Sequence, residues 1–240
     1  MHHLDFASVC TGHLTPVSTI RAMADKNIVV LASGRGSNLQ ALLATAAAER
    51  WATELGASVN AVICNRTDAK ALDVARSHDV ATAVVAHDAF SSREQFDDAL
   101  SEAIDQCAPA LIVLAGFMRR LTPNFVHHYA GRLINIHPSL LPSFPGLNTH
   151  QRALDAGVRV HGATVHFVSE QVDAGPIIAQ AAVPVLPDDD EVSLAARVLR
   201  QEHRLLPRAV RQVLEGRVQY RNQRVILRDI APGELSLLSV

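Results

Sequence analysis

Residues 27–38 read NIVVLASGRGSN, and this stretch decides the fold. A continuous apolar run at 28–32 is typical of a strand that is buried on both faces of a sheet. Gly34 and Gly36 then form a turn, and the apolar residues of 39–47 recur at helical spacing. A strand, a glycine turn and a helix in this order predict the first unit of a parallel α/β sheet.

The same alternation continues along the chain. Four further apolar runs have the length of buried strands: 59–64, 82–85, 110–115 and 133–136. Stretches of helical spacing separate them, which predicts a mostly parallel, twisted sheet with helices on both faces, a Rossmann-like α/β fold. We expect residues 161–168 and 177–185 to form two more strands joined in a hairpin-like way, before a last long helix.

Length and composition limit the domain organisation and the partners. Residues 1–26 mix Thr, Ser, His and Pro without a period and are predicted to be a flexible extension, whereas 27–240 are predicted to form a single domain. A net charge of -2 argues against nucleic acid as a partner. The chain has no apolar run long enough for a membrane span and no signal-peptide pattern.

The cysteines indicate the compartment. Cys10, Cys64 and Cys107 are far apart and odd in number, which fits neither a disulfide framework nor a zinc site. We therefore predict a cytoplasmic protein without nucleic-acid or membrane partners. The sequence leaves both a monomer and a homodimer open.

The glycine turn at 33–38 is the first candidate site. It lies between a buried strand and a helix, where free backbone N–H groups and the helix dipole favour an anion. Leu39 stands where a dinucleotide fingerprint needs a further glycine, and the Gly-Lys-Ser/Thr ending of a P-loop is missing. The turn is thus either a phosphate cradle or a turn that serves only the tight packing of strand on helix.

The second candidate site follows the strand at 133–136. Side chains alternate along a strand, so Asn135 and His137 are predicted to project to the same side while Ile136 faces the core. An amide and an imidazole suit acyl transfer, in which a carbonyl becomes an oxyanion and an amine loses a proton. Asp173 is the candidate carboxylate that would favour the imidazolium. The alternative is that the pair only satisfies backbone groups at a strand end.

Four motifs together resemble those of the glycinamide ribonucleotide formyltransferases, over residues 27 to about 216. The motifs are GRGSNLQ at 34–40, LAGFMR at 114–119, NIHPSLLP at 135–142 with Pro145 and Gly146, and VDAGP at 172–176. Two features depart from the family pattern. The extension before Asn27 is unusual, and Ala174 stands where many relatives have a second glycine, which would matter only if that residue needs a positive φ.

The resemblance implies a function and a set of residues. It implies transfer of the formyl group of 10-formyltetrahydrofolate to the amine of 5'-phosphoribosylglycinamide, in IMP biosynthesis, with both substrates small molecules and no metal. The implied catalytic residues are Asn135, His137 and Asp173. The implied ribonucleotide-binding residues are Gly36, Ser37, Asn38 and Glu202. The implied formyl-folate-binding residues are Arg93, Met118, Arg119, Arg120, Leu121 and Asn135.

Other functions compete with this interpretation. A formyltetrahydrofolate hydrolase would share the Asn-His-Asp chemistry, but its relatives usually carry an additional N-terminal domain. Methionyl-tRNA formyltransferase needs a further RNA-binding domain and a basic surface. A non-catalytic metabolite-binding module remains open because a fold alone does not define a function. A metal site is not expected, since His161 and His166 are an odd number of positions apart and should face opposite sides of a strand.

Overall fold

The computed structural model describes residues 26–231 and 236–238. The strands are β1 (Lys26–Ala32), β2 (Ala57–Cys64), β3 (Ala81–Val84), β4 (Leu111–Leu114), β5 (Leu133–His137), β6 (Val160–Phe167), β7 (Ile177–Pro184), β8 (Val218–Arg221), β9 (Arg224–Leu227) and β10 (Ser236–Leu238). The helices are α1 (Ser37–Ala48), α2 (Trp51–Glu54), α3 (Ala71–Arg76), α4 (Arg93–Asp105), α5 (Pro123–His128), α6 (Thr149–Asp155) and α7 (Glu191–Leu214).

One sheet organises the described residues. Its strand order is β10-β7-β6-β5-β4-β1-β2-β3, and β8 pairs with β9 in a separate hairpin. The five strands β1 to β5 are parallel to one another, whereas β6 is antiparallel to both β5 and β7. The predicted mostly parallel α/β fold is confirmed, and so is the hairpin-like connection between β6 and β7.

The central strand β1 divides the core into two layers. Ile28 and Val30 belong to the apolar cluster that includes residues of α1, α3 and α7, while Val29 and Leu31 belong to the cluster that includes residues of α4 and α5. All four side chains are fully buried. The continuous apolar run therefore reflects helices on both faces of the sheet, as predicted.

Some elements differ from the sequence prediction. The short helices α2 and α6 and the edge strand β10 were not predicted, because three to seven residues carry too little periodicity to be recognised. The predicted extension at 1–26 lies outside the described residues except for Lys26, which is the first residue of β1. In the described part of the chain, every helix is too short or too polar to cross a membrane.

Candidate active site

Helix α1 begins at the glycine turn without a side-chain cap. Its N-cap, Gly36, has φ 77°, and neither a capping hydrogen bond nor an acidic residue occurs in its first turn. Three other helices begin with a capping side chain, supplied by Ser92, Thr122 and Asp190. The backbone N–H groups at the start of α1 thus remain available to an anion.

The conformation of the turn depends on the absence of a side chain at Gly36. A Cβ atom there would lie 2.7 Å from the Cα of Ala71, and the N–H of Ala71 donates a 3.0 Å hydrogen bond to the carbonyl of Gly34. Tight packing and an open helix terminus therefore occur together. A role of the turn in packing is thus compatible with a role as a phosphate cradle.

A buried polar pair links α1 to α7 beside this turn. The Asn38 side chain donates a 2.7 Å hydrogen bond to the carboxylate of Glu202, which is 7% exposed. Burial raises the pKa of Glu202, while the bond from Asn38 and the charge of Arg35 oppose that rise. A buried carboxylate facing an open cleft is suited to accept hydrogen bonds from hydroxyl groups.

At the end of β5, His137 lies between two oxygen acceptors. Its Nε2 is 3.1 Å from the carbonyl of Phe144, and its Nδ1 is 3.4 Å from the Asp173 carboxylate. The same carboxylate accepts a 2.8 Å hydrogen bond from the N–H of Gly146. The Phe144 carbonyl thus fixes the ring, while the contact between Nδ1 and Asp173 is too long for a good hydrogen bond.

Asn135 reaches the same cluster through His166, which sequence reasoning did not include in the site. The Asn135 amide nitrogen is 3.3 Å from Nε2 of His166, and Nδ1 of His166 is 2.9 Å from the carbonyl of Phe167. Burial lowers the pKa of His166. A neutral ring with its proton on Nδ1 accepts from Asn135, so its 3.8 Å approach to Asp173 is not an ion pair.

The loop between β6 and β7 delivers the carboxylate. Asp173 has φ 52°, whereas Ala174 is not among the described residues with a positive φ. Alanine at 174 is therefore compatible with the turn. A Cβ at Gly175 would lie 1.7 Å from the carbonyl oxygen of Phe167. The glycine of VDAGP is therefore required by a close backbone approach.

A single cleft of about 910 Å³ connects the two regions. Six of the residues implied by the resemblance line it, namely Gly36, Ser37, Asn38, Met118, Arg119 and Glu202. On the β5 side it is lined by Ile136 and Pro138, the immediate neighbours of His137. Asn135, His137 and Asp173 do not line it themselves, so the cleft borders the neighbours of this cluster and not its side chains.

The sequence model of a family described as formyl transferase matches residues 26–210. The chain belongs to the formyl transferase family. The phosphoribosylglycinamide formyltransferase of Escherichia coli K12 is 49% identical over 193 residues, which cover 80% of this chain and 89% of that protein.

Solved structures of formyl transferases share the fold. A phosphoribosylglycinamide formyltransferase from Coxiella burnetii matches with a TM-score of 0.80 at 44% identity, covering 89% of this chain and 98% of that one. A formyltetrahydrofolate deformylase from Pseudomonas syringae matches with a TM-score of 0.78 at 31% identity, covering 86% of this chain and 67% of that one. The family resemblance inferred from the motifs is confirmed.

The implied folate residues of this formyl transferase are not all brought together. Met118 is 66% exposed and lines the cleft with Arg119. Arg120 is exposed and Leu121 is buried, while Arg93 is the exposed first residue of α4, and none of these three lines the cleft. Their role stays a prediction.

Two further histidines lie near the β5 cluster. Nε2 of His161 is 3.2 Å from Nδ1 of His150, which lines the cleft. Burial, followed by the neighbouring His150 and His137, lowers the pKa of His161 to about 4. Within the described residues of this formyl transferase, no group of three or more His, Cys, Asp or Glu residues could hold a metal ion.

Proposed function

We propose that this chain transfers the formyl group of 10-formyltetrahydrofolate to the amine of 5'-phosphoribosylglycinamide. The products are N-formylglycinamide ribonucleotide and tetrahydrofolate, in the synthesis of purines. The observation that carries the proposal is one cleft, which is lined by the uncapped N-terminus of α1 at one end and by Ile136 and Pro138, the neighbours of His137, at the other.

The turn end of the cleft suits a phosphorylated acceptor. The free N–H groups of α1 favour a phosphate, and Arg35, Arg66 and Arg119 also line the cleft and add positive charge. Glu202 is placed to accept hydrogen bonds from ribose hydroxyls. Gly36, Ser37, Asn38 and Glu202 are therefore our proposed ribonucleotide-binding residues.

The β5 end suits the reaction itself. The amine nitrogen attacks the formyl carbon, and the carbonyl oxygen becomes an oxyanion. We assign two donors to that oxygen. They are the second N–H of the Asn135 amide, besides the one directed at His166, and Nδ1–H of His137, whose 3.4 Å contact with Asp173 is long for a hydrogen bond. Asp173 balances the charge of the imidazolium, which can donate from both nitrogens.

Collapse of the tetrahedral intermediate completes the transfer. The carbonyl re-forms, the bond between the formyl carbon and folate N10 breaks, and the proton lost by the amine ends on N10. The scheme uses side chains of this protein and groups of the two substrates. It requires no metal.

The test is formyl transfer from 10-formyl-5,8-dideazafolate to glycinamide ribonucleotide, followed by absorbance. We expect transfer only when the ribonucleotide is present. Silence with both substrates would contradict the proposal and favour a binding module.

A second candidate is hydrolysis of the formyl donor, favoured by the structural match to the deformylase. It predicts release of formate at the same rate with and without the ribonucleotide. The cationic, uncapped end of the cleft argues for the transferase, because water as the acceptor needs no phosphate site.

A further inference from the structure

The segment 118–121, which the family resemblance implies for the formyl-folate, is held at both ends by buried side chains from other elements. The N–H of Met118 donates a 2.7 Å hydrogen bond to Oγ of Ser33. The N–H of Thr122 donates a 2.6 Å hydrogen bond to the carboxylate of Asp97. The residues between Met118 and Thr122 thus lie between two fixed backbone points.

The first anchor comes from the ribonucleotide end of the cleft. Ser33 follows β1, is 8% exposed and lines the cleft. Its backbone N–H donates a 3.1 Å hydrogen bond to the carbonyl of Gly116, so the backbone and side chain of Ser33 both bind the backbone of residues 116–118. One serine therefore connects the glycine turn to the beginning of the segment.

The second anchor is a buried carboxylate on α4. Asp97 is 2% exposed, and burial raises its pKa. Hydrogen bonds from the backbone and the side chain of Thr122, together with the charge of Arg93, oppose that rise. The carboxylate therefore holds the residue that directly follows the segment, and its loss would leave the N–H of Thr122 without its acceptor.

Asp97 also connects two parts of the proposed folate site. It lies one helical turn after Arg93 on α4, on the side that faces the start of α5. The same helix therefore carries the cation proposed for the folate carboxylates and the anchor of the segment proposed for the rest of the folate.

We propose that Ser33 and Asp97 are positioning residues for the formyl donor, which hold the backbone of 118–121 in its binding conformation. This inference rests on the proposed function. Because both anchors act on one segment, loss of either frees it, and loss of the second then adds little.

The test is steady-state kinetics of Ser33→Ala, Asp97→Ala and the double variant, with each substrate varied in turn. We expect each single variant to raise KM for 10-formyl-5,8-dideazafolate about tenfold, with kcat and KM for the ribonucleotide changed less than about twofold. The double variant should raise that KM by about the same factor, and not by the product of the two. Asp97→Asn keeps an oxygen acceptor for the N–H of Thr122, so it should keep that KM within about twofold of the unmodified chain.

The matched control is Asp105→Ala. Asp105 lies near the other end of α4 and accepts hydrogen bonds from Tyr129 and His128, so it joins the same part of the fold without touching 118–121. It should lower thermal stability and leave KM for the formyl donor unchanged.

Several outcomes would overturn the inference. They are an unchanged KM for the donor in both single variants, an equal rise in the Asp105→Ala control or in Asp97→Asn, a rise confined to the ribonucleotide, and multiplicative effects in the double variant. Failure of the unmodified chain to transfer the formyl group would instead contradict the proposed function, so the two failures are distinguishable.

Discussion

The two ends of the cleft are built by different means. The glycine turn presents backbone N–H groups and owes its shape to a missing side chain at Gly36. The β5 end presents side chains, and its donors are fixed by further side chains and carbonyls. A site built from the backbone should therefore lose binding when a side chain is enlarged. A site built from side chains should lose activity when side-chain atoms are removed.

The strongest test of this contrast is Asn135→Ala at the β5 end. Loss of one oxyanion donor costs ~3 kcal/mol, so we expect kcat to fall about a hundredfold or more. KM for the ribonucleotide should stay within about twofold, because its proposed site is at the other end of the cleft. Asn60→Ala, at an exposed position of β2, is the control and should retain full activity. Unchanged turnover of Asn135→Ala would show that this donor is not used.

The next largest effect is expected from Gly36→Ala at the turn end. The added Cβ meets the backbone of Ala71 and requires a positive φ, which together cost about 1–3 kcal/mol. KM for the ribonucleotide should rise at least about tenfold, and thermal unfolding should occur several degrees lower. Gly34→Ala adds the same methyl group where no heavy atom lies within 4 Å, and it should be mild. Equal effects of the two variants would contradict the backbone model of this end.

Glu202→Gln sharpens the contrast, since Glu202 is a side chain that acts at the turn end. We expect KM for the ribonucleotide to rise about fivefold, because a charge-assisted hydrogen bond becomes a neutral one. KM for the formyl donor should not change. Glu49→Gln is the matched control, because Glu49 binds Arg211 and links α1 to α7 away from the cleft. A similar rise in that variant would assign the effect to helix packing.

The smallest expected effect is on stability and depends on pH at the β5 end. The pKa of His161 is lowered from 6.5 to about 4, so the folded state favours the neutral ring. The unfolded state binds the proton first, and stability is therefore lost as pH falls from about 6.5 towards 4. Urea unfolding of His161→Asn should show a weaker loss over that range, whereas His78→Asn, at an exposed position, should match the unmodified chain. Parallel curves for all three proteins would refute this assignment.

The same contrast explains what the sequence could predict. The glycine turn is local, because strand, turn and helix are adjacent in the chain, and its position was predicted. The same-side placement of Asn135 and His137 also follows from strand alternation. The hydrogen-bond partners of these two side chains cannot be predicted in this way. His166 depends on the antiparallel register that pairs it with Asn135, and Phe144 contributes only a carbonyl.

Neither partner has a local signal in the sequence. A pairing register is decided by tertiary packing, and any residue type supplies a carbonyl. The odd spacing of His161 and His166 predicts that the two rings lie on opposite sides of a strand. It gives no information on which ring contacts Asn135. The strand order of the sheet is likewise non-local. A prediction that β6 runs antiparallel to β5 would have placed His166 beside Asn135.

The contact between Gly36 and Ala71 has a consequence for the variation of this family. The two residues share one small volume, and the hydrogen bond from Ala71 to Gly34 fixes their separation. Position 36 can thus accept only glycine while the turn keeps its shape. A designer who enlarges residue 36 must rebuild the loop that carries Ala71.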